Sequence, residues 1–417
     1  MCMLFVLRKI ILGIIFVAIL IAVIAIARGY RFSTKEKTLS PTGILVASSF
    51  PDGSMILVNG ELKGATNSNI ILTPGNYDVE IKRDGYSSWK KNLKIKGELV
   101  IKADALLFPQ NPTLSPVTSL GVSKAVSSVS GDKIVIFSET NNAEKDGIYL
   151  FENVRNPITR INPLKPLILK SSFPQDSSQL KLASSSVEFS PNEDQMLLTT
   201  YAQVTTPSQA KSPAISHIYL LDTGSLTGTP FDVTNSVESI RSAWAIEQAA
   251  LSKKALAGLK KPLPTLAAQS FNILSFSPDE RKILYTASQS ATLPTIIKPP
   301  LIASNQTPEE RTIKPGSIYI YDTEEDKNFK LFDVSEFQSL ENAMSSLLWF
   351  PDSAHIVIKE AKKFVVADYD GTNRTTVYSG PFDSRFFTLS KDGKLFILTN
   401  FNSETGVIFD LYSVSLK

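Results

Sequence analysis

The amino-acid sequence predicts a mainly β protein behind one N-terminal transmembrane helix. Three observations carry this reading. An uncharged apolar run extends from Ile10 to Ala27, short alternating strands separated by Gly, Pro, Asn and Asp follow it, and a strand–turn–strand unit then recurs as far as the C-terminus.

From Ile10 to Ala27 the chain spans about 27 Å at about 1.5 Å per helical residue, close to the thickness of a bilayer core. Most of these residues are Ile, Leu, Val or Phe, an all-round apolarity that no soluble helix needs. Ala25-Ile26-Ala27, after the basic Arg8 and Lys9, would also suit a leader-peptidase site and a secreted product. The apolar run is longer than a leader's core, so residues 10–27 are read as an uncleaved anchor in contact with the lipid bilayer, behind a cytoplasmic tail of residues 1–9. Arg28, Arg31, Lys35 and Lys37 outnumber the charges before the helix, which taken alone favours a cytoplasmic C-terminus. Large domains translocate largely regardless of flanking charge, and the ectodomain is expected outside the cytoplasm.

The chain has 417 residues, 43 Lys and Arg and 40 Asp and Glu. The length predicts two or three folded units, and the charge balance lacks the basic excess of a nucleic-acid partner. The single cysteine, Cys2, precludes an intramolecular disulfide and a multi-cysteine metal site. His217 and His355 are far apart in sequence and outside any metal-ligand spacing, so both read as ordinary strand or turn residues.

After a linker at residues 28–42, residues 43–108 alternate apolar and polar positions between turns. Gly43 to Ser48 and Met55 to Val58 read as strands, with turns at Pro51-Asp52-Gly53 and at the hairpin signal Asn59-Gly60. Thr73-Pro74-Gly75-Asn76 reads as a type II turn with Gly75 at positive φ, followed by the alternating Tyr77, Val79 and Ile81. Pro74, Gly75, Tyr77, Val79 and Ile81, leading into Asp84-Gly85-Tyr86 and Trp89, resemble the PEGA domain family, with Ser54 where that family usually has Ala. The resemblance implies a small β-sandwich module of surface proteins, a spacer or interaction role, and no catalytic residues. Tyr86 and Trp89 are read as core packing at a hairpin end.

Beyond a second linker, residues 109–117, five units recur: VSGDKIVIFS with GIYLFEN, VEFSPNEDQMLLTT with HIYLLDTG, LSFSPDERKILYTA with SIYIYDTE, LLWFPDSAHIVIKE with FVVADYDGTN, and FTLSKDGKLFILTN with IFDLYSVS. Pro191, Pro278 and Pro351 end one strand and the following apolar run returns antiparallel, the local chemistry of a propeller blade. Pro351 and Lys391 lie about 40 residues apart, one blade length. Phe189-Ser190-Pro191-Asn192, Phe276-Ser277-Pro278-Asp279 and Asp368-Tyr369-Asp370-Gly371-Thr372-Asn373 resemble the TolB-like, WD-repeat-like propeller family. Residues 118–417 are therefore expected to form a degenerate β-propeller of five to seven blades. Ile240, Ala243, Trp244, Leu251, Ala255 and Leu259 recur at helical spacing before Pro262 and Pro264, predicting a helical insertion at about 236–260 that packs back on the propeller. Thr205–Ser216 and Ser288–Pro315 read as mobile loops.

The sequence carries no nucleophile elbow, phosphate-binding loop, dinucleotide fingerprint or zinc-binding run, so no catalytic, cofactor or metal residues are assigned and the binding residues stay unassigned. Asp368–Asn373 lacks EF-hand spacing and reads as a hairpin turn. With the two resemblances, the expectation is an extracytoplasmic binding or scaffold protein of the cell envelope, not an enzyme, engaging a cell-wall polymer, carbohydrate or envelope protein. A propeller-type polysaccharide hydrolase with carboxylates converging from separate blades is the alternative.

Overall fold

The computed structural model describes residues 2–27, 30–33, 38–140, 142, 144–152, 164–174, 180–201, 215–224, 229–401 and 409–417. Helix α1, Cys2–Ala27, contains the predicted apolar run. Its described side chains from Ile10 to Ile24 are all exposed, with Phe16 at 69%. Among the described residues no helix is long and apolar enough to cross a membrane. A two-stranded hairpin, Tyr30–Ser33 with Thr38–Pro41, stands within the stretch read as a linker.

The chain divides into two compact units, Met1–Gln110 with Ile297–Glu309, and Asn111–Ile296 with Glu310–Lys417. In the first, two sheets form a sandwich. One orders Ser68–Leu72, Gly43–Phe50 and Val100–Leu106; the other orders Glu61–Ala65, Met55–Val58, Gly75–Lys82 and Trp89–Ile95. Strict alternation sends Leu45, Ala47, Ile56, Val58, Val79, Ile81, Leu93, Ile95, Ile101 and Ala103 into one core. Gly43–Phe50 pairs in parallel with Val100–Leu106, so the module is not a simple meander. Asn59 and Gly60 take φ of 51° and 82°, as the hairpin signal predicts. The type II turn does not form: Gly75 is absent from the left-handed region and already pairs with Ile95. The Tyr77 hydroxyl donates to the Thr73 carbonyl at 3.0 Å with its ring against Gly75, and the strand begins at Gly75, two residues before the expected alternation. Within the same unit, Gln306 bonds both backbone groups of Lys94, at 2.7 and 3.2 Å.

The second unit contains five four-stranded antiparallel sheets. Blade 1 comprises Lys124–Ser127, Lys133–Ser138, Gly147–Glu152 and Leu164–Leu169; blade 2 comprises Ser186–Phe189, Gln195–Tyr201, Ile215–Asp222 and Phe231–Asp232. Blade 3 comprises Phe271–Phe276, Lys282–Ala287, Ser317–Asp322 and Lys327–Asp333; blade 4 comprises Leu347–Trp349, His355–Lys359, Phe364–Asp368 and Thr375–Tyr378. Blade 5 takes Phe387–Leu389, Lys394–Thr399 and Asp410–Ser415 from the C-terminus, and its fourth strand, Leu114–Pro116, from the start of the unit. Every sheet is open; joining the two ends of the unit in one sheet ties first blade to last, as a propeller requires. The first strands of neighbouring blades touch: Ser127 and Thr388 hydroxyls lie 2.9 Å apart, and Lys124 donates to the Ser185 carbonyl.

Alternation also gives each central strand two apolar faces. Ile134, Ile136, Tyr149 and Phe151 of blade 1 pack on Phe396, Leu398 and Leu411 of blade 5. Val135, Phe137, Ile148 and Leu150 pack on Met196, Leu198, Tyr219 and Leu221 of blade 2. Blades 3 and 4 share a third such core, including Leu284, Ile318, Ile320, Ile356 and Ile358. Helices α2, Val237–Ala257, and α3, Leu263–Ser270, cover the remaining faces of blades 2 and 3. Val237, Ile240 and Trp244 pack on Leu197, Ile218 and Leu220, as the expectation of a helix packed back on the propeller requires. Leu256, Leu259, Leu263 and Ala267 pack on Ile283, Tyr285, Tyr319 and Tyr321. Chain direction resumes as helix through Pro262 and Pro264 because a first helical turn has no N–H obligation for proline to break.

Of the expected mobile loops, residues 202–214 lie outside the described residues. The other contains a short ladder pairing Ala291–Thr292 with Thr312–Ile313.

Candidate functional site

The residues singled out from sequence divide into packing and pairing roles. Trp89 is 5% exposed within the sandwich core, and Tyr86 packs against that core. His217 sits 2.6 Å from Asp232, whose carboxyl is held at about 2 by the Thr234 hydroxyl and amide and then by His217. His355 is buried between two carboxylates, with Nδ1 2.7 Å from Asp352 and Nε2 3.3 Å from Asp368. Burial alone would lower its pKa, but hydrogen bonds to both carboxylates raise it to about 9. Asp368 also accepts from the Asn373 amide at 3.0 Å, and the Thr372 hydroxyl donates to Asp370 at 2.6 Å. With Gly371 and Asn373 at positive φ, this is a side-chain-braced hairpin turn. Among the described residues no group of three or more His, Cys, Asp or Glu is placed to hold a metal ion.

Antiparallel meanders place the start of every first strand and the end of every second strand at one face of the propeller. The opposite face carries the turns between these strands, stitched blade to blade. There Ser130 donates through its amide and hydroxyl to Glu193, the Asp279 amide donates to Ser353 Oγ, and Lys391 pairs with Asp132. These contacts hold neighbouring blades together, although Asp132 uses only Oδ2 and its buried Oδ1 has no hydrogen-bond partner among the described residues.

The strand-start face offers a cleft. Between blades 5 and 1 a cavity of about 560 Å³ is lined by Ser119, Leu120, Gly121, Thr140, Asn142, Lys145, Thr399, Asn400, Phe401, Asp410 and Tyr412. Asp410 is fixed as a wall, accepting from the Thr118 hydroxyl at 3.0 Å and the Gly121 amide at 3.2 Å. Phe401 and Tyr412 meet edge to face with centroids 5.3 Å apart, and Phe401 is 52% exposed. An aromatic pair beside two amides, hydroxyls and one ammonium suits a polyhydroxylated ligand, whose C–H faces lie on rings while its hydroxyls exchange hydrogen bonds with amides. No sequence motif marked these residues. They come from two neighbouring loops of blade 1, around residues 119–121 and 140–145, and from residues 399–401, 410 and 412 of blade 5, far along the chain, brought together where blade 5 meets blade 1.

The architecture so far defines a mainly β protein with a sandwich module and a five-sheet β-propeller. Residues 42–111 match the PEGA domain family, over the module in which the characteristic residues were found. No curated protein matches the chain. Among solved structures, a protein described as TolB from Agrobacterium tumefaciens is 10% identical, with 70% of this chain and 78% of that one covered and a TM-score of 0.21. The β-propeller domain of the Trilobed protease from Pyrococcus furiosus is 10% identical, covering 93% and 88%, with a TM-score of 0.19. An oligogalacturonate lyase from Vibrio parahaemolyticus is also 10% identical, covering 89% and 88%, with a TM-score of 0.21. The propeller assignment rests on the five sheets and their closing strand.

Proposed function

We propose that this chain is a membrane-anchored, extracytoplasmic binding or scaffold protein of the cell envelope, with the propeller engaging a cell-wall polymer and not cleaving it. The observation that carries the reading is the cleft between blades 5 and 1, whose aromatic pair, amides and hydroxyls suit a glycan. The PEGA match supports an envelope role for the module, and the exposed apolar side chains of α1 from Ile10 to Ile24 support attachment to the bilayer.

The test is retention of the full chain, in neutral detergent, on purified envelope polymers. Tyr412→Ala removes half of the aromatic pair and is expected to weaken binding about tenfold or more, with an unchanged circular dichroism spectrum. Equal retention of wild type and variant would overturn the assignment of the cleft. Release of new reducing ends from the polymer would overturn the non-catalytic reading.

A further inference from the structure

We propose that Lys124, Lys359 and Arg385, on the same face as the cleft, form a binding site for the acid groups of an anionic polymer. The proposal rests on the polymer-binding reading above and supplies its ligand class. Lys124 is the first residue of blade 1, Lys359 ends the second strand of blade 4, and Arg385 precedes the first strand of blade 5. Lys359 and Arg385 meet on the loop of residues 383–385, whereas Lys124 is held by the Ser185 carbonyl ahead of blade 2. Lys359 donates to the Ser384 carbonyl at 2.7 Å, Arg385 grips Asp383 through Nε at 3.0 Å to each oxygen, and Lys124 lies near enough to Arg385 to feel its charge.

The two lysines are unusual in what they lack. Both are partly withdrawn from water, and each is anchored by a backbone carbonyl. Among the described residues no carboxylate lies within 4 Å of either ammonium. An ammonium has three donors, so each retains N–H groups beyond its carbonyl bond. Burial lowers the pKa of both, assisted at Lys124 by Arg385 and opposed at Lys359 by Asp383.

The neighbouring carboxylates are already engaged elsewhere. Glu139 pairs with Lys170 at 2.7 Å, Glu188 with Arg241 at 3.1 Å, and Glu360 with Lys363 and Arg374. Asp383 is held by Arg385, which keeps its Nη1 edge for another acceptor. Partly desolvated cations with no directly paired carboxylate, resting on a carbonyl and on the Phe137 ring (Lys124) or the Phe387 ring (Lys359), are only partly compensated, and an incoming carboxylate or phosphate would add short, charge-assisted hydrogen bonds. Ser119–Gly121 of the cleft lead directly into Lys124. A polymer extending from the cleft along this face would meet these cations.

The experiment measures binding of the full chain in neutral detergent to polygalacturonate, poly(glycerol phosphate) and dextran over a range of NaCl concentrations. Wild type is expected to prefer one or both polyanions to dextran, and the preferred polymer distinguishes a carboxylate from a phosphate source. The Lys124→Gln/Lys359→Gln double variant should lose about 100-fold in affinity, about tenfold for each charge-assisted bond, and show a shallower salt dependence. Lys124→Arg/Lys359→Arg should retain most of the binding, and Lys254→Gln, on exposed α2, should retain all of it. Unchanged affinity and salt dependence in the double Gln variant, equal loss in Lys254→Gln, or equal binding of dextran would each overturn the proposal. If Tyr412→Ala loses envelope binding while the double Gln variant does not, this inference fails and the cleft reading stands; the reverse pattern has the opposite meaning.

Discussion

Replacing His355 by Gln is expected to destabilise the propeller strongly at pH 6 and hardly at all at pH 9.5. The imidazole has only 8% of its side chain exposed, between Asp352 and Asp368. Raising it from its ordinary 6.5 to about 9, at about 1.4 kcal/mol for each tenfold gain in proton affinity, puts about 3 kcal/mol into the native state. Because the folded-state pKa lies above the unfolded one, that contribution is fully present below pH 6.5 and is lost as pH rises through about 9. Asp352 does not confuse the comparison: burial works to raise its carboxyl, but the hydrogen bond from His355 holds it below the ordinary carboxylate range. Removing the cation also leaves two carboxylates facing one another in a buried site. The assay is urea unfolding at pH 6 and 9.5, followed by fluorescence of Trp349 in the blade 3 and 4 core, with Trp89 and Trp244 changed to Phe. The variant should lose about 3 kcal/mol at pH 6, or about 5–10 °C in melting temperature, and about 1 kcal/mol or less at pH 9.5. An equal loss at both pH values would show that His355 contributes through packing and not through its charge.

Two further changes test the joints of the fold. Gly131, in the first turn of blade 1, has φ of 76°, and a Cβ there would stand 2.4 Å from the Leu389 carbonyl of blade 5. Gly131→Ala should therefore cost at least about 1–3 kcal/mol and lower the melting temperature of the propeller, measured by calorimetry. In the sandwich, Trp89→Ala should cost about 3–5 kcal/mol and lower the denaturant midpoint of that module; a change within experimental error would remove Trp89 from the core.

Local chemistry was legible in the sequence. Short continuous apolar runs in KIVIFS, QMLLTT, KILYTA, HIVIK and KLFILT marked the second strands of the five blades, buried on both faces, and the turns before them were marked by Pro, Asn, Asp and Gly. Long-range pairing was not legible. Leu114–Pro116 is three residues long and ends in proline, yet it completes a sheet with residues almost the whole length of the unit away. The parallel pairing of Gly43–Phe50 with Val100–Leu106 likewise leaves no local signal. Gly75 misled because proline followed by glycine suits a type II turn, whereas the Tyr77 to Thr73 contact draws the chain straight into a strand. The cleft and the cations were invisible for the same reason as the closing strand. Asn142, Tyr412, Lys124, Lys359 and Arg385 are ordinary surface residues until blades 4, 5 and 1 stand side by side.

An envelope polymer bound at the strand-start face of the propeller can be trapped there by photo-crosslinking in intact cells. A photoreactive residue at Asn142, in the cleft, is compared with one at exposed Asp194 on the stitched opposite face. A polymer adduct sensitive to glycan-degrading enzymes is expected from position 142, and none from position 194. Polymer captured equally from both positions, or from 194 alone, would contradict binding at that face.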